Sequence, residues 1–325
     1  MREVSVEEYL DFVSKHKAIV IEDQTIFLEP IEVKRLEPLP EELTDVSTTV
    51  WSFPERGAWA THRGDYRGNW APQIPRALIL KYTNTGDTVL DPMVGSGTTC
   101  IEALLLNRNC IAVDINYSAV ILTHHRLYYL TKALSEKKPK SLIDYAKNNS
   151  GVSNTSNSNA WYRVYHGDAR KLDKIPNNSI DLVATHPPYF NIIEYSEQRV
   201  EGDLSRTTSL EEYLTLFRQV AKEIYRVLKP GGVLGILIGD TRVKKHYVPI
   251  THYALMILLD VGFVLKEEVI KIQHKMKTTR EVWSKLKDRD FLLIHHEKLF
   301  ILEKPKHKDP DLKYSAKPWF IELKV

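Results

Sequence analysis

Asp91-Pro92-Met93-Val94-Gly95-Ser96-Gly97-Thr98-Thr99 is the stretch whose reading decides the fold. The segment before it, Thr88 to Asp91, reads as a short strand, and Thr98 to Leu106 after it has helical periodicity. Glycines at 95 and 97 therefore sit where a strand turns into a helix, and there the missing side chain lets a ligand approach the backbone closely. Glycines alone would serve a tight turn with no ligand equally well, so the surroundings must decide.

Outward from this stretch the pattern alternates. Strands are expected at Cys110 to Asp114, Tyr162 to Tyr165, Ile180 to Ala184 and Val233 to Ile238; helices at Ser118 to Leu134, Leu210 to Leu228 and Ile250 to Val261. The helix ending at Leu228 stops at Lys229-Pro230-Gly231-Gly232. Two last strands, Phe263 to Ile272 and Phe291 to Leu302, lack a full crossover helix between them, which points to one running antiparallel. The expected class is α/β, a mostly parallel sheet with helices on both faces.

Residues 1–45 read as an accessory segment: a helix from Val4 to Lys15, then a hairpin from Ala18 to Ile21 and Thr25 to Leu28. The main domain is expected over 46–305, followed by a tail over 306–325. Within it, 46–76 reads as a long ordered loop, because it lacks regular periodicity yet holds Trp51, Trp59 and Trp70. A helix is expected from Pro75 to Tyr82, and the Ser/Asn-rich run 148–159 as a mobile surface loop.

The 325 residues are 43% hydrophobic, enough for one large domain with additions. No apolar run reaches the length of a membrane span, and the N-terminal residues lack a signal core, so a cytoplasmic protein is expected. Cys100 and Cys110 offer no metal-ligand spacing and read as small buried hydrophobes. A net charge of +3 does not announce a nucleic-acid partner, so the distribution of charge must carry that argument.

Acids close three successive strands. Asp91 could pair with the cationic amino or sulfonium end of S-adenosylmethionine, whereas a phosphate would be repelled there. Thr98 and Thr99 add hydroxyls that could cap the helix or touch the cofactor carboxylate. Asp114 stands where a carboxylate accepts ribose hydroxyls, and Asp168 could accept from the adenine amino group. Singly, each acid is also readable as a solvated loop carboxylate.

Thr185-His186-Pro187-Pro188-Tyr189 follows the fourth strand. The prolines remove amide donors and leave carbonyl acceptors. Acceptors that engage the N–H groups of a base's exocyclic amine help turn its lone pair toward a methyl group. Tyr189 would stack on the base, and His186 would accept one amino hydrogen through a ring nitrogen. A sulfonium is already a good electrophile, so no metal is called for.

With both motifs in this order, the sequence resembles the class I S-adenosylmethionine-dependent DNA amino-methyltransferases of restriction-modification systems, over roughly residues 50 to 303. The match includes Asp91 to Thr99, Asp114, Asp168, His186 to Tyr189, Leu228 to Gly232 and His296-Glu297-Lys298. The resemblance implies a Rossmann-like, seven-stranded sheet with an antiparallel last strand. It implies cofactor binding by Asp91, Pro92, Gly95, Gly97, Thr98, Thr99, Asp114 and Asp168, and a catalytic loop of His186, Pro187, Pro188 and Tyr189. His186 stands where the family usually has Asp, Asn or Ser, and Met93 replaces the usual aromatic. Thr185 and the lack of an acid in the loop favour N4 of cytosine over N6 of adenine.

Double-stranded DNA is the implied partner, with a cognate restriction endonuclease as a candidate second one. Arg56, His62, Arg63, Arg67 and Arg76 are interleaved with Trp51, Trp59, Tyr66 and Trp70, a mixture suited to phosphate contact and stacking. A second basic patch holds Lys271, His274, Lys275, Lys277, Arg280, Lys285, Lys287 and Arg289. Both are also readable as solvated faces. An RNA amino-methyltransferase and a silent nucleic-acid-binding relative are the alternatives.

Overall fold

A computed structural model describes residues 1–21, 24–43, 45–136, 160–190, 203–274, 290–307 and 310–318. The core is built from β5 (Thr88–Asp91), β6 (Asn109–Asp114), β7 (Tyr162–His166), β8 (Ile180–Thr185) and β9 (Leu228–Ile238), all parallel. β13 (His296–Glu303) inserts antiparallel between β9 and β12 (Val264–Ile272), so the expected antiparallel last strand is present. These seven strands are extended by one on each edge. β1 (Arg2–Val4) pairs antiparallel with β7, and β4 (Val50–Ser52) pairs parallel with β12, giving nine strands in the order β1-β7-β6-β5-β8-β9-β13-β12-β4.

Neither edge strand has a sequence signature, because three residues are too few to show a period of two. The first helix accordingly begins later than its pattern suggests: α1 spans Val6–Lys15, where the Ser5 hydroxyl caps it by accepting from the Glu8 amide. The hairpin is present as β2 (Ala18–Ile21) and β3 (Gln24–Phe27). It packs with Tyr9 of α1 on α4 (Tyr117–Glu136). Two buried histidines fasten this layer. His125 contacts the Tyr9 hydroxyl at 2.8 Å and the Glu29 carbonyl at 2.9 Å, and His124 contacts the Val4 carbonyl.

α2 (Gln73–Tyr82), α3 (Thr98–Leu105), α5 (Leu210–Val227) and α6 (Ile250–Val261) cover the sheet. β9 begins directly at Leu228, so Lys229-Pro230-Gly231-Gly232 lies inside a strand rather than in a loop. Gly231 there has φ +82°, and the register against β8 shifts at this place. Conversely, Phe291 to His295 are not strand. A two-stranded hairpin of β10 (Thr241–Val243) and β11 (His246–Val248), unexpected from the sequence, follows β9.

The two cysteines are fully buried, as expected, but they are not separate thiols. Cys100 of α3 and Cys110 of β6 are joined as a disulfide, Cα atoms 5.3 Å apart. The helix returns to the sheet through a short turn, which places residues ten apart in sequence face to face. The loop 148–159 lies outside the described residues, and among those described no helix is long and apolar enough to cross a membrane.

Candidate active site

Strand order reverses between β5 and β8, and open α/β sheets bind ligands in the crevice at such a point. A cleft of about 760 Å³, counted to its open mouth, lies there. Its walls come from the glycine turn (Asp91 to Ser96), the end of β6 (Asp114 to Asn116), Asp168 and Ala169 after β7, and His186 and Pro188 after β8. The loop before α2 closes it with Tyr66, Gly68, Asn69 and Trp70.

Asp91 is the buried pivot. Its Oδ1 accepts from the Thr185 hydroxyl at 2.8 Å and the Met93 amide at 3.2 Å, and its Oδ2 accepts from the Thr99 hydroxyl at 2.6 Å. Burial pushes the Asp91 carboxyl up to about 6, against the pull of these donors. Asp114 accepts from the Gly95 amide at 2.8 Å and the Asn116 amide at 2.9 Å. Burial, helped by the nearby carboxylates of Asp203 and Asp91, pushes it up to about 7 despite these amides.

Gly95 has φ +54°, and a Cβ there would lie 3.0 Å from the Tyr66 ring. Gly97 has φ +85°, and a Cβ would lie 3.3 Å from the Thr123 side chain. Both positions require glycine, one for the cleft wall and one for packing against α4. Gly97 itself occupies the N-cap of α3, so the threonines are not capping residues. Thr99 serves Asp91, and Thr98 donates to the Asn69 side chain; both are buried behind the wall. Pro92 lines the cleft.

Asp168 lines the cleft too, but Arg170 grips it: Nε and Nη2 reach its Oδ2 at 2.8 and 2.6 Å, and the Arg170 amide reaches Oδ1 at 2.8 Å. Less of its accepting capacity is left for a ligand than the sequence suggests. Asp203 and Leu204 contribute wall that no motif announces. Asp203 accepts from the Ser205 amide and hydroxyl as the cap of a single 3-10 turn, Leu204–Arg206.

In the loop after β8, His186 and Pro188 face the cleft, and the Trp70 ring lies nearly parallel to His186 with centroids 6.0 Å apart. The Pro188 carbonyl accepts from the Tyr213 hydroxyl at 3.1 Å. Tyr189, whose ring centroid is 5.2 Å from that of His186, packs on Gly239, where a Cβ would come within 2.8 Å of its ring. Its hydroxyl donates to Glu297 of β13 at 2.6 Å. Pro187 and Tyr189 are not among the residues on the cleft wall.

The basic residues divide sharply. Trp59, His62 and Arg76 are buried around the carboxylate of Glu102 on α3, at 2.7, 2.7 and 2.9 Å. His62 and Arg76 are therefore structural, not phosphate ligands; Trp51 and Trp59 are core residues rather than stacking platforms, and Trp70, also buried, presents an edge of the core to the cleft. Arg56 is half-buried, donating to the Gly57 and Trp70 carbonyls, and burial lowers its guanidinium to about 10. Arg63 and Arg67 are exposed on either side of Tyr66. In the second patch Lys271 pairs with Glu297 and His274 contacts the Ser52 hydroxyl. Lys275, Lys277 and Arg280 lie outside the described residues.

A family model described as DNA methylase matches residues 4–123 and 180–322. Another, described as an RMKL-like methyltransferase domain, matches residues 68–248. The chain is 31% identical over 88 residues to a Type II methyltransferase (M2.MboI) from Moraxella bovis, covering 27% of this chain and 32% of that relative. It is 22% identical over 214 residues to a tRNA (guanine(10)-N2)-dimethyltransferase from Methanothermobacter thermautotrophicus, covering 66% of this chain and 48% of that relative. It therefore spans less than half the length of these two curated relatives. A SAM-dependent methyltransferase structure from Methanosarcina mazei is 16% identical, covering 71% of this chain and 98% of its own, with a TM-score of 0.42. The DNA methylase match takes in the glycine turn, the acid of β6, the Pro-Pro loop and β13, and the chain belongs to that family, the S-adenosylmethionine-dependent amino-methyltransferases.

Proposed function

We propose that the chain transfers a methyl group from S-adenosylmethionine to an exocyclic amine of a base flipped from double-stranded DNA, with N4 of cytosine favoured over N6 of adenine. The observation that carries this reading is that acids suited to the cofactor and the His-Pro-Pro loop suited to a flat amine face one cleft. The cofactor fits the residues present. Gly95 keeps the turn clear of side chain, Asp114 retains accepting capacity beyond its two amides, and Asp91 places a carboxylate at the crevice.

The cofactor supplies a methyl group activated on a sulfonium. The chain's part is to hold it and the base in line and to exclude water. Trp70 and Tyr66 wall the cofactor side, while His186 offers an acceptor to the amine. No carboxylate occupies the first position of the loop, which supports cytosine as the base. Arg63 and Arg67, exposed beside the cleft wall, are proposed to contact phosphate. A restriction endonuclease partner remains a proposal from the family resemblance alone.

RNA is the second reading, favoured by the tRNA-modifying relative, whose alignment covers 66% of this chain. Labelled S-adenosylmethionine offered in parallel with mixed-sequence duplex DNA and with transfer RNA separates the two. Label in DNA alone is expected; label in RNA alone would move the substrate to the second reading.

Cofactor affinity is expected to depend on pH. A cationic amino end calls for an ionised Asp91 and the ribose hydroxyls for an ionised Asp114, and burial holds these carboxyls near 6 and near 7 in the free chain. Raised values mean that a proton occupies Asp114 below about pH 7 and Asp91 below about pH 6, and binding must expel them. Affinity should rise between pH 5 and 8, by up to about tenfold per unit for each carboxyl that titrates, then level off. Calorimetry at pH 6 in buffers of different ionisation enthalpy should show proton release. Affinity that stays flat over this range would contradict the assignment.

A further inference from the structure

Behind the cleft wall a chain of polar contacts joins the catalytic loop to the far strands of the sheet. The Tyr189 hydroxyl donates to Glu297 Oε1 at 2.6 Å and also meets His186 Nε2. Glu297 Oε2 accepts from Lys271 Nζ at 2.9 Å, and its Oε1 lies 3.7 Å from His186 Nε2. The Glu297 side chain is 6% exposed and that of Lys271 16%, so the pair is shielded from solvent.

Proton counting fixes the direction of these bonds. Burial favours the neutral acid at Glu297, but the Lys271 charge, with smaller contributions from His186 and the Tyr189 hydroxyl, outweighs it and holds the carboxyl well below the usual carboxylate range. An ionised carboxylate only accepts, so the single phenolic proton of Tyr189 is committed to it. In the neutral form of His186 that contact requires the ring proton to sit on Nε2. Nδ1 is left bare, and among the described residues it is a buried nitrogen with no hydrogen-bond partner. Such an atom calls for a donor, and His186 lines the cleft.

We propose that Glu297, held by Lys271, is a positioning residue that fixes the His186 proton on Nε2 through Tyr189 and so reserves Nδ1 to accept an N–H of the target amine. The inference rests on the reading of the cleft as an amino-methyltransferase site. It also accounts for a histidine at the loop position where the family usually has Asp, Asn or Ser: a ring nitrogen supplies the acceptor, provided that its tautomer is fixed from behind.

The test is nitrogen-15 histidine spectroscopy of the full chain, with the His186 signals identified by their loss in His186→Asn. The wild-type chain should show His186 protonated on Nε2 alone. Glu297→Gln weakens the acceptor, and Tyr189→Phe removes the link while leaving the Glu297–Lys271 pair intact. Each should move His186 to an averaged tautomer pattern, and each should lower the rate constant for methyl transfer on the order of tenfold with the KM for cofactor unchanged. Tyr189→Phe carries the test if Glu297→Gln does not fold. An unchanged His186 pattern in a folded variant overturns the proposal. Failure of the wild-type chain to methylate any nucleic acid would instead overturn the functional reading, and the spectra would still decide the tautomer.

Discussion

Glu102→Ala is expected to lower the stability of the chain by about 3–5 kcal/mol, the cost of stranding a buried charge whose partner has been removed. Glu102 is fully buried, and its carboxylate takes Trp59 and His62 on one oxygen and Arg76 on the other. Without it the Arg76 guanidinium keeps, among the described residues, only the more exposed Glu37, at 3.1 Å, while the Trp59 indole and the His62 ring each lose a bond. Glu102 stands on the helix that follows the glycine turn, and Trp59 and His62 stand on the loop that supplies Tyr66, Asn69 and Trp70 to the cleft. Weaker binding of S-adenosylhomocysteine should therefore accompany the loss. Urea unfolding should show a lower midpoint with an unchanged slope. A loss below about 1 kcal/mol, the scale of an ordinary surface change, would mean that the loop is anchored elsewhere.

Tyr189→Ala is expected to reduce methyl transfer on the order of a hundredfold or more, while leaving the cofactor dissociation constant within about threefold of the wild-type value. Tyr189 fills the space over Gly239 and holds His186 through its hydroxyl, yet it does not form part of the cleft wall. Asp114→Ala should behave in the opposite way. It removes a carboxylate that both lines the cleft and braces the Gly95 amide, so cofactor affinity should fall more than tenfold. Equal loss of affinity in the two variants would contradict this division of labour.

The central sheet was legible because each of its elements is long enough to show a period and is closed by a turn with its own chemistry. The glycine turn, the acid ending β6, and His186 and Pro188 of the Pro-Pro loop line one cleft at the strand ends, while Pro187 and Tyr189 stand behind it. The edge strands β1 and β4 were not legible, since three residues gain their conformation from the neighbour they pair with. Composition misled in the Trp/Arg-rich loop. The same residue types that suit phosphate and base stacking also suit a buried carboxylate and a core, and only the position of Glu102 on α3 distinguishes them. Asp203 and Lys271 reach their places through long-range packing that no local pattern encodes, and Glu297, between the half-buried His296 and Lys298, was marked only by the family resemblance of that tripeptide. The cysteine pair likewise depended on the helix return and not on spacing.

The identity of the modified nucleoside distinguishes amino-methylation of DNA from every other transfer. Duplex DNA of mixed sequence, incubated with the full chain and labelled S-adenosylmethionine, would be digested to nucleosides and the labelled one identified by mass and retention. A methyl group is expected on an exocyclic nitrogen, with N4-methylcytosine favoured over N6-methyladenine. Label on a ring carbon, as in C5-methylcytosine, or no label on any nucleoside from DNA, would contradict it.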